Sequence, residues 1–78
     1  MSPDKLIYMA NQIARSFQSR TYEEAVAATA EHISNFWEPR MRSQLFNLMD
    51  ENASCFETII RDARSRIRPV LKHDRAST

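Results

Sequence analysis

The chain has 78 residues, with 11 Lys/Arg against 10 Asp/Glu, one cysteine and no glycine. A chain this short forms one domain near the lower limit for a self-sufficient core; it buries roughly 60% of its unfolded surface and gains from a partner or a second copy. Without glycine there is no loop that cradles phosphate by close backbone approach or positive φ, and a lone cysteine forms no internal disulfide.

The hydrophobic periods predict an all-α fold, a small bundle of four short helices at roughly 3–18, 22–37, 39–50 and 55–68. Residues 1–69 make a single domain, and 70–78 form a disordered, flexible tail. The first helix opens with Ser2 as N-cap, Pro3 in the first turn and Asp4 complementing the dipole. Leu6, Ile7, Ala10, Ile13, Ala14 and Phe17 fall on one stripe. Gln18, Ser19 and Arg20 are the polar break.

A capping box from Thr21 to Glu24 starts the second helix, each side chain reaching the other's backbone N–H. Its stripe is Tyr22, Ala25, Val26, Thr29, Ala30, Ile33, Phe36 and Trp37, with two alanines small enough for close helix approach and the aromatics at the end. The third helix starts at Pro39 and turns Met41, Leu45, Leu48 and Met49 inward, leaving Phe46 off the stripe. Asp50 to Ala53 connects to a second capping box, Ser54 to Glu57, and a fourth helix with Phe56, Ile59, Ile60, Ala63 and Ile67 on one face. Pro69 stops it. The first three helices are expected to form the main core, with the fourth packing across them.

Little in this pattern is catalytic. Metal binding needs three or four ligands at local spacing, whereas His32, His73 and Cys55 are scattered over a helix flank, a tail and a cap region. Cys55, a buried or half-buried thiol on this reading, falls in the first turn of the predicted fourth helix, where the dipole lowers a thiol pKa, but it has no neighbouring base. Glu23 and Glu24 complement the dipole of helix two, and Glu31 and Glu38 lie seven apart with no cleft implied. A bundle of this size has little room for the ~300 Å³ or more of a ligand pocket. No enzyme, no cofactor and no metal site is expected.

Charge is uneven. Residues 1–60 carry five Lys/Arg against eight Asp/Glu, and 61–78 carry six against two. Arg61, Arg64 and Arg68 line one side of the fourth helix, most simply its solvated back, helped by cations near a helix C-terminus. The alternatives are contact with an acidic protein partner, or a nucleic-acid-binding or regulatory domain acting through the arginines of residues 61–75, although the whole chain lacks the basic balance of a nucleic-acid binder.

The strongest candidate site is the corner Phe36, Trp37, Pro39, Arg40, Met41 and Arg42. The residue before a proline leaves the α region, while proline suits the first turn of a helix. The chain therefore turns sharply there, with two large rings beside an arginine pair. Trp and Arg are the residues enriched in binding hot spots. The rings can also serve simply as core, and one tryptophan can do both, since it is rarely fully buried. Tyr8, Met9 and Phe46 are spare apolar flank residues that leave room for a homodimer. No signal-peptide pattern or run approaching ~20 apolar residues is present, so a soluble cytoplasmic protein is expected.

Three blocks carry a family resemblance: Asp4 to Ala14, with its Asn11-Gln12-Ile13-Ala14 core; Ala25 to Ile33; and Phe36-Trp37-Glu38-Pro39-Arg40-Met41-Arg42. Together with Phe56 to Pro69 they resemble the delta subunit of NAD-dependent, molybdenum-containing formate dehydrogenase. The connection Asp50 to Ser54 departs from that family in lacking glycine. The resemblance implies a small accessory subunit without a redox cofactor, belonging to a cytoplasmic complex whose large catalytic subunit holds a molybdopterin cofactor. It further implies a role in assembling or maturing that enzyme. One cysteine is too few for an iron–sulfur cluster.

Overall fold

A computed structural model of the chain describes residues 1–70. Its helices are α1 Pro3–Ser16, α2 Tyr22–Phe36, α3 Pro39–Glu51 and α4 Thr58–Ala63, with 3-10 turns at Ala53–Cys55 and Arg64–Arg66. There is no strand among the described residues. The expected tail lies, from 71 onward, outside them.

The local start signals work as chemistry dictates. Ser2 Oγ accepts from the Lys5 N–H at 3.3 Å, and Pro3 occupies the first turn. Both halves of the Thr21–Glu24 box form: Thr21 Oγ1 accepts from Glu24 N–H at 3.2 Å, and Glu24 Oε1 accepts from Thr21 N–H at 3.4 Å. At the corner, Trp37 closes α2 by donating its N–H to Ile33 O at 3.1 Å, and both Trp37 and Glu38 are extended before Pro39 opens α3. No described residue has positive φ. The helices end in residues of negative φ instead of the left-handed residue that glycine supplies at many C-termini.

The fourth segment corrects the predicted boundaries. It is helical in three pieces, and the Ser54–Glu57 capping box is not made. Ser54 Oγ instead donates to Asn52 Oδ1 at 2.7 Å, and no side chain caps α4. Phe56 must be extended to reach the core, where it is 3% exposed. Asn11 of α1 replaces the lost cap: its Oδ1 accepts from Glu57 N–H at 2.9 Å while its Nδ2 donates to Cys55 O at 3.0 Å. The Glu57 carboxylate turns away to Arg15, 2.8 Å distant. A long-range pair of bonds thus wins over a local motif.

One core runs through all four helices. It comprises Leu6, Ala10 and Ala14 of α1, Val26, Ala30 and Ile33 of α2, Leu45 and Met49 of α3, and Phe56, Ile60, Ala63 and Ile67, with Trp37 at the corner. The fourth helix is not an addition to a three-helix core. Its most extensive packing is against α2, where Ala25, Ala30 and Ala63 leave room for close approach. Arg42 is buried on α3 in line with Leu45 and Met49, while the expected inward residues Met41 and Leu48 are half-buried.

Candidate functional site

The corner holds its six residues in two different ways. Trp37 and Arg42 are each only 6% exposed. The indole is part of the core cluster. The Arg42 guanidinium donates from Nε to Trp37 O at 3.3 Å, and from one terminal nitrogen to Arg68 O and to Pro69 O, the latter at 3.4 Å. It therefore ties the α2–α3 turn to the chain leaving the 3-10 turn after α4. Met41 is half-buried. Phe36, Pro39 and Arg40 face solvent, and Phe36 is 75% exposed, the most open of the large apolar side chains among the described residues. Trp37 and Arg42 thus do not join Arg40 in a single ring-and-guanidinium surface. They build the corner that carries Phe36, Pro39 and Arg40.

Phe36 also closes one end of a groove of about 220 Å³ along α2. Phe17, from the turn after α1, and Ala28 of α2 line it as well. His32, one turn before Phe36, places its ring 4.9 Å from the phenyl ring at 37°. Arg20 lies over the Phe17 ring at 5.2 Å, a cation–π geometry. Glu31 and Asn35 complete the lining. Phe17, Arg20 and His32 escaped the sequence reading as site residues. The spacings Phe17/Arg20 and His32/Phe36, three and four apart, are the signals that could have found them.

A larger groove of about 400 Å³, more than the sequence led one to expect of so small a bundle, lies between Phe46, Asp50, Arg64, Ile67 and Val70. It is occupied at its edge by the molecule's own charges: Arg64 pairs with Asp50, donates to Phe46 O at 3.4 Å and stacks over the Phe46 ring at 5.1 Å. Two further arginines are also engaged. Arg68 donates to Ser34 O at 3.0 Å and to Asn35 Oδ1 at 3.2 Å, and Arg66 lies 3.8 Å from Glu23. Among the described residues, Arg64, Arg66 and Arg68 thus each have a partner within the chain, while Arg61 is exposed with no such bond; Arg75, also part of the nucleic-acid alternative, lies outside the described residues.

The remaining chemistry-bearing groups stay dispersed. Cys55 is exposed, not buried or half-buried, and sits in the 3-10 turn instead of the first turn of the fourth helix. No group of three or more His, Cys, Asp or Glu among the described residues could hold a metal ion. No helix among them is long and apolar enough to cross a membrane. Tyr22 donates its hydroxyl to Asp62; that bond, then burial and the Asp62 charge, raises its pKa above 10.0.

No curated protein and no solved structure matches the chain. The family whose model does match, over residues 5–64, is the NADH-dependent formate dehydrogenase delta subunit FdsD, and that span takes in most of α1, the Asn11 clamp, the groove and the whole corner. The chain belongs to the formate dehydrogenase delta subunit family.

Proposed function

We propose that this chain is a non-catalytic accessory subunit of a cytoplasmic NAD-dependent formate dehydrogenase, binding its large molybdenum-containing subunit and supporting assembly or maturation by protein–protein contact. The observation that carries the reading is Phe36, 75% exposed on a corner whose neighbours Trp37 and Arg42 are locked at 6%. A large aromatic ring left in water on an anchored backbone corner is the kind of residue that binding hot spots are built from. Pro39 and Arg40 extend the contact, with Trp37, Met41 and Arg42 as its support. The composition fits a subunit that leaves the chemistry to others. One cysteine is too few for a cluster that takes four, and a chain without glycine has no dinucleotide-binding turn.

The test is co-purification. The double variant Phe36→Ala, Arg40→Ala should keep its helical circular dichroism and lose most of the large subunit that the wild-type chain retains. Undiminished recovery by a folded double variant would reject the corner as the docking surface.

A further inference from the structure

Resting on that docking reading, we infer that the groove between Phe17 and Phe36 is a socket for one apolar side chain of the large subunit, flanked in that partner by a carboxylate. Size sets the first limit. A cavity of ~150 Å³ takes a benzene ring, so about 220 Å³ admits one leucine- or phenylalanine-sized group. Drug-sized ligands and cofactors need ~300–1,000 Å³. The walls set the second. Phe17, Phe36 and the His32 ring present aromatic surface, and Ala28 adds only a methyl.

Charge sets the third. Arg20 and Glu31 line the same groove, yet no ion pair joins them. Arg20 is held over the Phe17 ring, leaving its guanidinium edge without an acidic partner among the described residues. An arginine fork that pairs with no carboxylate, beside an aromatic slot, favours an acidic residue next to an apolar one, seated on the Arg20 side and away from the like charge of Glu31. The groove is continuous with the corner through Phe36, which serves both. The contact surface consequently runs back along α2 toward the α1–α2 turn, and not inward along α3.

Two measurements on the full chain, co-expressed with the large subunit, test this. Ala28→Met fills the groove with a good helix former and leaves the corner intact; it should weaken binding about tenfold or more, as loss of an anchor does. Independently, a photoreactive benzoylphenylalanine in place of Phe36 should crosslink to a large-subunit peptide with an apolar residue next to Asp or Glu. If the wild-type chain binds the large subunit, unaltered affinity of Ala28→Met together with no such crosslink overturns the socket and leaves the accessory role standing. A crosslink to a second copy of this chain overturns it in favour of a homodimer. Failure of the wild-type chain to bind the large subunit removes the docking reading, and the socket with it.

Discussion

Arg40 and Arg42 are two residues apart, yet the structure assigns them opposite consequences. Arg42→Ala removes hydrogen bonds to three backbone carbonyls, those of Trp37, Arg68 and Pro69. A bond from a charged group contributes ~1.5–3 kcal/mol, but two of these are long, at 3.3 and 3.4 Å. Removing the side chain also relieves the desolvation of a buried charge. The lost packing of its aliphatic stem adds ~0.8 kcal/mol per methylene. Weighing these terms, a net loss of about 2–4 kcal/mol is expected. A domain of this length has ~4–12 kcal/mol in total, so at least roughly a sixth of it depends on one side chain. With ~4–8 °C per kcal/mol at this size, Tm should fall by at least ~8 °C. Arg40→Ala, at an exposed site, should stay within ~0.5 kcal/mol of wild type. Urea unfolding followed by circular dichroism measures both. A loss below ~1 kcal/mol for Arg42→Ala, or an equal loss for Arg40→Ala, would refute the tie.

Further outcomes follow from single contacts. Asn11→Ala deletes both bonds that seat the start of α4 and should cost about 1–3 kcal/mol, with hydrogen exchange at Phe56 and Glu57 rising before the rest of the chain. Thr29 is fully buried and its hydroxyl has no partner among the described residues; Thr29→Val keeps the shape, removes the unpaired group and should add about 1 kcal/mol, read as a higher urea midpoint. The Tyr22 phenol has its pKa raised in the folded chain above 10.0, chiefly by donating to Asp62. Its contribution is therefore complete below that value and is lost as pH rises through the folded pKa, because the unfolded state releases the proton first. In a Tyr8→Phe background the phenolate absorbance should titrate at higher pH folded than in urea, and Asp62→Asn should remove most of the difference.

The sequence carries the helices well where the determinants are local. Ser2-Pro3, the Thr21–Glu24 box and the Trp37-Glu38-Pro39 break act over a few residues, and each element starts or stops where they place it. Ser54–Glu57 has the same local grammar and fails, because Asn11 and Arg15, more than forty positions away, hold the Glu57 N–H and carboxylate. Arg42 was illegible for a related reason. An arginine in a helical pattern reads as solvated, and only the carbonyls of Arg68 and Pro69, brought over by the fold, make its burial tolerable. The corner's existence could be read from Phe36-Trp37-Glu38-Pro39, but which ring faces water could not. Both aromatics continue one stripe, and α2 ends between them, so the extended Trp37 swings into the core while Phe36 stays outside.

That division yields a way to separate support from contact at the corner. A partner that binds only the folded chain stabilises it by ~2.7 kcal/mol at a hundredfold excess over Kd, about the size of the Arg42 loss. If Arg42 acts only by holding the turn, Arg42→Ala should regain structure when the large subunit is in excess and should then be recovered with it almost as well as wild type. Phe36→Ala should behave in the opposite sense, folding normally alone and failing to co-purify at any excess that rescues Arg42→Ala. The two variants cross over because one lowers the population of the folded chain while the other lowers its intrinsic affinity. Should Arg42→Ala stay unbound at a temperature where its circular dichroism is native, the guanidinium must reach the partner itself, and the assignment of Arg42 to the fold alone would be wrong.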